Sequence, residues 1–264
     1  MVPLDLPRLR ECVSASSERV QVLDSAAGPV VVKRQRLDRR RWRSRVISLL
    51  ALLFGVPMLQ APAQGSGPAV QEVEVRRLRA LAAIGAPVPP LLHVDDAFIV
   101  MARLDGRPLI ELIEAGGPLA LGAWGAGLDA IADLHRRGGY LSHAAARNFI
   151  ATPDGLAMID FESDPLESFS LDEAQARDWL TYLHSTAWLL AASPPTLRDE
   201  LGRRLERAHR PVRELVARAV DKIAWMRHLP ASRKPFGREV SGLRALAALA
   251  PVLAPSPPPP NSAA

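Results

Sequence analysis

The 264-residue chain has a single cysteine, Cys12, only three lysines, and few aromatic residues, 5% of the total. One thiol excludes an internal disulfide framework and any multi-cysteine zinc site, and a reduced, cytoplasmic compartment is expected. So few aromatics leave no base-stacking platform, and no specific nucleic-acid partner is expected. No G-x-S-x-G run exists to place a nucleophilic serine on a strand-to-helix elbow, so Ser142-His143 suggests no triad.

The rest of the composition is ordinary. Hydrophobic residues make up 48% and charged residues 23%, which excludes a mostly disordered or collagen-like chain. The net charge is +5 and the pI near 10.1. Arginine supplies nearly all the positive charge, a bias that reflects overall codon and residue usage more than a dedicated nucleic-acid surface. It still permits contact with phosphates or an anionic membrane face.

Residues 19–35 read as a strand pair around a turn at 24–29, ending in the β-branched run Val30-Val31-Val32-Lys33. A helix is expected over 69–84, with Val70, Val73, Leu78, Leu81 and Ala82 on its apolar face. Short strands follow at 91–94 and 97–101. Helices are then expected at 108–114, 121–137, 172–191, 196–227 and 238–249, interrupted by a strand pair at 148–151 and 156–161. This order predicts an α+β chain in two lobes: a strand-rich N-lobe over 18–102 and a mainly helical C-lobe over 103–252. The Pro-rich tail, 253–264, is expected to be disordered.

Within the N-lobe, 39–68 reads as an insertion, basic over 39–45 and apolar over 46–59. It imitates a signal peptide but starts nearly forty residues into the chain. Its fourteen apolar residues, interrupted by Ser48, Gly55 and Pro57, fall short of the roughly 20 that a span needs. Two readings stand: a buried helical insertion, or an interfacial helix whose arginines meet anionic headgroups through 39–59, at the inner face of a membrane.

Four segments carry the chemistry. Lys33 ends the β-branched strand. Glu72 and Glu74 lie on the next helix, Glu74 four residues before Leu78. The run Phe98-Ile99-Val100-Met101-Ala102-Arg103-Leu104-Asp105-Gly106 is a strand and turn. The strongest segment runs from the helix end at Leu134-His135 through Leu141-Ser142-His143-Ala144-Ala145-Ala146-Arg147-Asn148, across a hairpin, to Ile159-Asp160-Phe161-Glu162.

Together these segments resemble the protein-kinase-like superfamily, and within it the lipopolysaccharide-kinase-like, RIO-like and KEOPS-type atypical kinases and the aminoglycoside-phosphotransferase-like proteins. The resemblance spans roughly residues 18–225 and implies a two-lobed kinase-like fold that binds ATP and Mg²⁺. It implies that Lys33 anchors phosphate and that Glu74 orients Lys33. Backbone groups around Met101 and Arg103 would meet the adenine. Asp160 and Asn148 would hold the metal, Asp160-Phe161-Glu162 standing where the family has D-F-G. The helix opening at Asp172, with Asp178 on it, would lie beneath the catalytic loop.

Two positions depart from the family's pattern. No G-x-G-x-x-G run precedes Lys33, and the turn at 24–29 offers one glycine as phosphate cover. His143 stands where the catalytic loop has its aspartate base. The implied activity is phosphoryl transfer from ATP to a sugar, lipopolysaccharide or lipid-linked, or protein hydroxyl. The alternatives are a nucleotide-binding pseudokinase or scaffold, and a structural membrane-peripheral protein. The remaining histidines, His135, His184, His209 and His228, are expected in surface or helix-packing roles. Trp124, Trp179, Trp188 and Trp225 are expected in the core.

Overall fold

The computed structural model describes residues 4–26, 28–35, 67–190, 194–228 and 237–250. The expected insertion at 39–68, but for its last two residues, and the whole tail at 253–264 lie outside the described residues. The membrane contact read from 39–59 lies outside them too. Among the described residues, no helix is long and apolar enough to cross a membrane.

The architecture is α+β: a four-stranded antiparallel sheet comes first and a mainly helical region follows. Strands β1 (Val20–Ser25), β2 (Gly28–Arg34), β3 (Leu91–Val94) and β4 (Phe98–Ala102) lie in the order β1-β2-β4-β3. Alternation along β2 divides its side chains between two faces. Val30 and Val32 join Phe98 and Val100 in a small core closed by Leu9 and Val13 of helix α1 (Leu6–Ala15). Val31 and Lys33, opposite Met101 and Ile99, face the other way. That face meets helix α2 (Pro68–Ala83) and the main core.

Helix α1 is absent from the sequence-based expectation, which began the N-lobe at residue 18. Its signals were local: Asp5 caps the Arg8 N–H, Pro7 opens the first turn, and Leu6, Leu9 and Val13 recur at helical spacing. Helix α2 forms as expected, but its buried face is rotated. Val70, Glu74, Val75, Arg77, Leu78 and Leu81 are buried, while Ala82 is exposed. Two charged residues thus sit on the inward stripe, and the site below explains one of them.

The helical region holds α3 (Leu109–Glu114), α4 (Gly117–Arg136), α5 (Leu171–Thr186), α6 (Pro194–Leu205), α7 (Arg210–Lys222) and α8 (Gly237–Ala247). The expected single helix over 196–227 is two. Pro211 forces the break: in a continuous helix it has no N–H for the Arg207 carbonyl and its ring would clash there, whereas the first turn of a new helix accommodates it. A capping box between Ser170 and Glu173 starts α5. Trp124 and Trp179 are wholly buried as expected, but Trp188 is only half-buried and Trp225 is exposed.

A second, three-stranded sheet sits inside this region, formed by β5 (Arg107–Pro108), β6 (Phe149–Thr152) and β7 (Gly155–Met158). Gly106 lets β5 approach β6, since a Cβ there would lie 2.2 Å from the Ala151 carbonyl oxygen. The strand expected to run on to Phe161 stops at Met158. Asp160 adopts φ +71°, a left-handed conformation that aspartate tolerates better than most residues and that extended backbone cannot contain.

Candidate functional site

Lys33, Glu74 and Asp160 come together although they are separated by tens of residues. The Lys33 ammonium lies 2.6 Å from Glu74 Oε1, 3.0 Å from Asp160 Oδ1 and 2.7 Å from Glu162 Oε1. Each side chain is delivered by a local cause. Strand alternation points Lys33 at α2. Helical spacing from Val70 puts Glu74 on the inward stripe. Phe161, buried in the core, anchors the segment after β7 while the left-handed turn at Asp160 sends its carboxylate back toward Lys33. Glu72 is exposed, so Glu74 is the helix partner.

Glu162 is the member that the spacing concealed. In the motif it stands only where the family has glycine, yet it contacts both Lys33 and Arg19. The available signal was only its nearness to Asp160, two residues earlier in the chain.

The electrostatics follow from burial and charge. Burial alone would lower the Lys33 pKa, but Glu74, Asp160 and Glu162 outweigh it and raise it. Burial raises the Glu74 pKa despite the Lys33 ammonium beside it. Burial would also raise that of Asp160, but Lys33, together with Glu162 and Arg19, holds it below the usual carboxylate range. Asp160 is also the open member, its side chain 43% exposed against 9% for Lys33 and 5% for Glu74. Ligand oxygens of Glu74, Asp160 and Glu162 all lie within 4.8 Å of one another. Hard carboxylate oxygens at that spacing can hold a divalent cation such as Mg²⁺.

The loop between α4 and β6 is built from the other side. The Asn148 side-chain amide donates to the His143 carbonyl at 2.9 Å. The Asn148 carbonyl accepts the Ile159 N–H at 2.9 Å, which fixes Asn148 beside the segment bearing Asp160. Below the loop, wholly buried Asp178 accepts the Leu141 N–H at 2.8 Å and meets His135 Nε2 at 3.0 Å. Arg177 donates to the Ser142 carbonyl at 2.7 Å. Of the remaining histidines, His209 and His228 are exposed, while His135 is buried on Asp178.

His143 itself faces cations. Burial, with Arg177, Arg147 and His184 nearby, lowers its pKa to about 3. No carboxylate occurs between Leu141 and Asn148.

The residues at the end of β4 are less open than their spacing suggests. Met101 is buried in the ladder, opposite Val31 and Leu91. The Ala102 N–H is bonded to Pro90 and the Arg103 N–H to Pro29. Leu104 is the next backbone donor along the chain. The turn at 24–29 is also far from the ion cluster: Ser25 pairs with Gly28 at one end of the β1–β2 hairpin and Val20 with Lys33 at the other. At about 3.3 Å per residue, roughly 17 Å separates them, too far for that glycine to cover phosphate near Lys33.

No protein-family model matches the chain, and no curated protein matches it in sequence.

Proposed function

We propose that the chain is a kinase-like, ATP-dependent phosphotransferase acting on a hydroxyl acceptor, in a two-lobed arrangement with the four-stranded sheet as its smaller lobe. The observation that carries this reading is the convergence of Lys33, Glu74 and Asp160, 41 and 127 residues apart from the lysine, around one ammonium group. A buried lysine ringed by three carboxylates is poorly balanced as a purely structural feature. It suits a site that awaits a metal and an anion.

In this reading Glu74 holds Lys33 extended toward the α- and β-phosphates of ATP. Asp160 and the Asn148 amide oxygen, joined by Glu162, would hold Mg²⁺, which would neutralise charge on the phosphates. The adenine would lie under Val20 and Val22, which share a sheet face with Lys33 and Val31 and are 48% and 53% exposed. Its polar edge would meet the backbone after Met101, with Leu104 as donor and the carbonyls of Ala102 and Arg103 as acceptors.

His143 then sets the rate. A neutral imidazole with a pKa near 3 takes a proton poorly, and it lacks the negative charge by which an aspartate orients a hydroxyl. Because phosphoryl transfer depends mostly on positioning and charge stabilisation, the expected result is binding with slow turnover. The same histidine favours a second reading, a pseudokinase that binds nucleotide and transfers nothing.

Thermal shift with ATP and Mg²⁺, singly and together, tests the site, with Lys33→Met and Asp160→Ala as controls. Stabilisation by the pair beyond either alone is expected. Lys33→Met should weaken ATP binding with or without metal, and Asp160→Ala should remove only the metal-dependent part. Parent-like binding of Mg–ATP by both variants would overturn the assignment. Release of labelled phosphate from ATP then separates enzyme from pseudokinase.

A further inference from the structure

The end of the site near Lys33 lacks glycine cover, and something else stands there. Strand β1 begins at Val20, directly opposite Lys33, so the chain entering β1 passes over this end of the hairpin. The entering residues are 16–19, between α1 and β1, and they are held in place. The Glu18 N–H bonds to Ser16 Oγ at 3.1 Å, Arg34 donates to the Ser16 carbonyl, and the Arg34 N–H bonds to the Arg19 carbonyl at 2.8 Å. The last of them, Arg19, reaches into the ion cluster and donates to Glu162, the carboxylate that also meets Lys33. Its side chain is 38% exposed, although its Nε is buried with no hydrogen-bond partner among the described residues.

We propose that Arg19 binds the nucleotide's polyphosphate beside Lys33, replacing with one guanidinium the amide donors of a glycine-rich loop. The proposal rests on the nucleotide-binding reading above and adds a residue to it. A guanidinium suits the task, because its planar fork matches two phosphate oxygens and keeps its charge at any physiological pH. The guanidinium also offsets charge in the empty cluster. Lys33 and Arg19 together face Glu74, Asp160 and Glu162, and without Arg19 one ammonium would face three carboxylates before any phosphate arrives. In the ligand-free site, Glu162 occupies both cations. With Mg–ATP bound, Lys33 and Arg19 would turn to phosphate, and Asp160, Asn148 and Glu162 would hold the metal.

The test is binding of adenosine, Mg–ADP, Mg–ATP and Mg–tripolyphosphate to the parent, Arg19→Gln and Arg19→Lys by calorimetry. Arg19→Gln should lose roughly tenfold or more in affinity for Mg–ATP and Mg–tripolyphosphate, the scale of one charge-assisted hydrogen bond, and keep its affinity for adenosine. Arg19→Lys should fall between the two. Melting temperatures without ligand report folding. If Arg19→Gln is too unstable to titrate, a loss by Arg19→Lys confined to phosphate-bearing ligands supports the proposal. Parent affinity for Mg–ATP in the variants overturns it while leaving the nucleotide site intact. Failure of the parent to bind any of the four probes overturns the functional reading itself.

Discussion

Asp178 and Leu141 are joined by a hydrogen bond of 2.8 Å from the loop's backbone N–H to a carboxylate with no exposure to solvent. Helix α5 thereby holds the start of the loop that carries His143 and Asn148, while the same carboxylate oxygen meets His135 on α4. Removing it strands a buried N–H and an imidazole, each loss costing roughly 1–3 kcal/mol. Asp178→Ala should therefore lower unfolding stability by about 3 kcal/mol in urea melts, and Asp178→Asn by less. A change below about 0.5 kcal/mol for Asp178→Ala would show that the loop is held by other contacts.

Lys33→Met should also destabilise the protein at neutral pH, because three carboxylates would face one another with only Arg19 nearby. Breaking a buried ion pair by removing one partner costs about 3–5 kcal/mol. Without the ammonium, the carboxylates hold protons more tightly in the folded than in the unfolded chain, so the lost stability returns as pH falls. Melts from neutral to mildly acidic pH should show the gap between variant and parent narrowing. A constant gap would mean that the lysine acts by packing alone.

His143 gives a second pH signature, with its own sign. Its folded-state pKa of about 3 lies below the ordinary value of 6.5. Between these values the unfolded chain takes a proton that the folded chain refuses. Stability should rise with pH across that window, by at most about 1.4 kcal/mol per pH unit, and this contribution should be flat above it. His143→Gln should flatten the slope in melts between those limits. An unchanged slope would assign it to other groups.

His143→Asp should raise slow ATP hydrolysis by roughly 10²–10⁴-fold if the loop geometry supports a base at that position. His143→Ala should lower the parent's turnover if the neutral imidazole accepts the proton. Confirmed Mg–ATP binding with no hydrolysis in either the parent or His143→Asp would decide for the pseudokinase.

Much of this was legible because it is local. The strands at 91–94, the hairpin after Asn148, the helix bearing Glu74 and the turn residues all announce themselves through alternation, spacing or punctuation. Local rules also contained two features that the sequence reading missed: the Asp5-Leu6-Pro7 start of α1 and the break at Pro211. The resemblance in motifs implied Glu74 as the partner of Lys33 and Asp160 as a metal ligand; the contact between Lys33 and Asp160 came from the fold.

What sequence determined, then, was which residues could form elements, since backbone preference and apolar period act over a few residues. Tertiary structure alone decided which charges meet. Glu162 and Arg19 lie 143 residues apart and share no period or motif, and they meet only because the fold brings the start of β1 and the end of β2 to the segment after β7. The fate of His143 was decided the same way. A histidine's spacing says nothing of its burial, nor of Arg177 and His184, which arrive from a helix downstream; burial first, and these neighbours with Arg147, keep it neutral. Coulombic and desolvation energies depend on distance through space, and distance along the chain does not encode them.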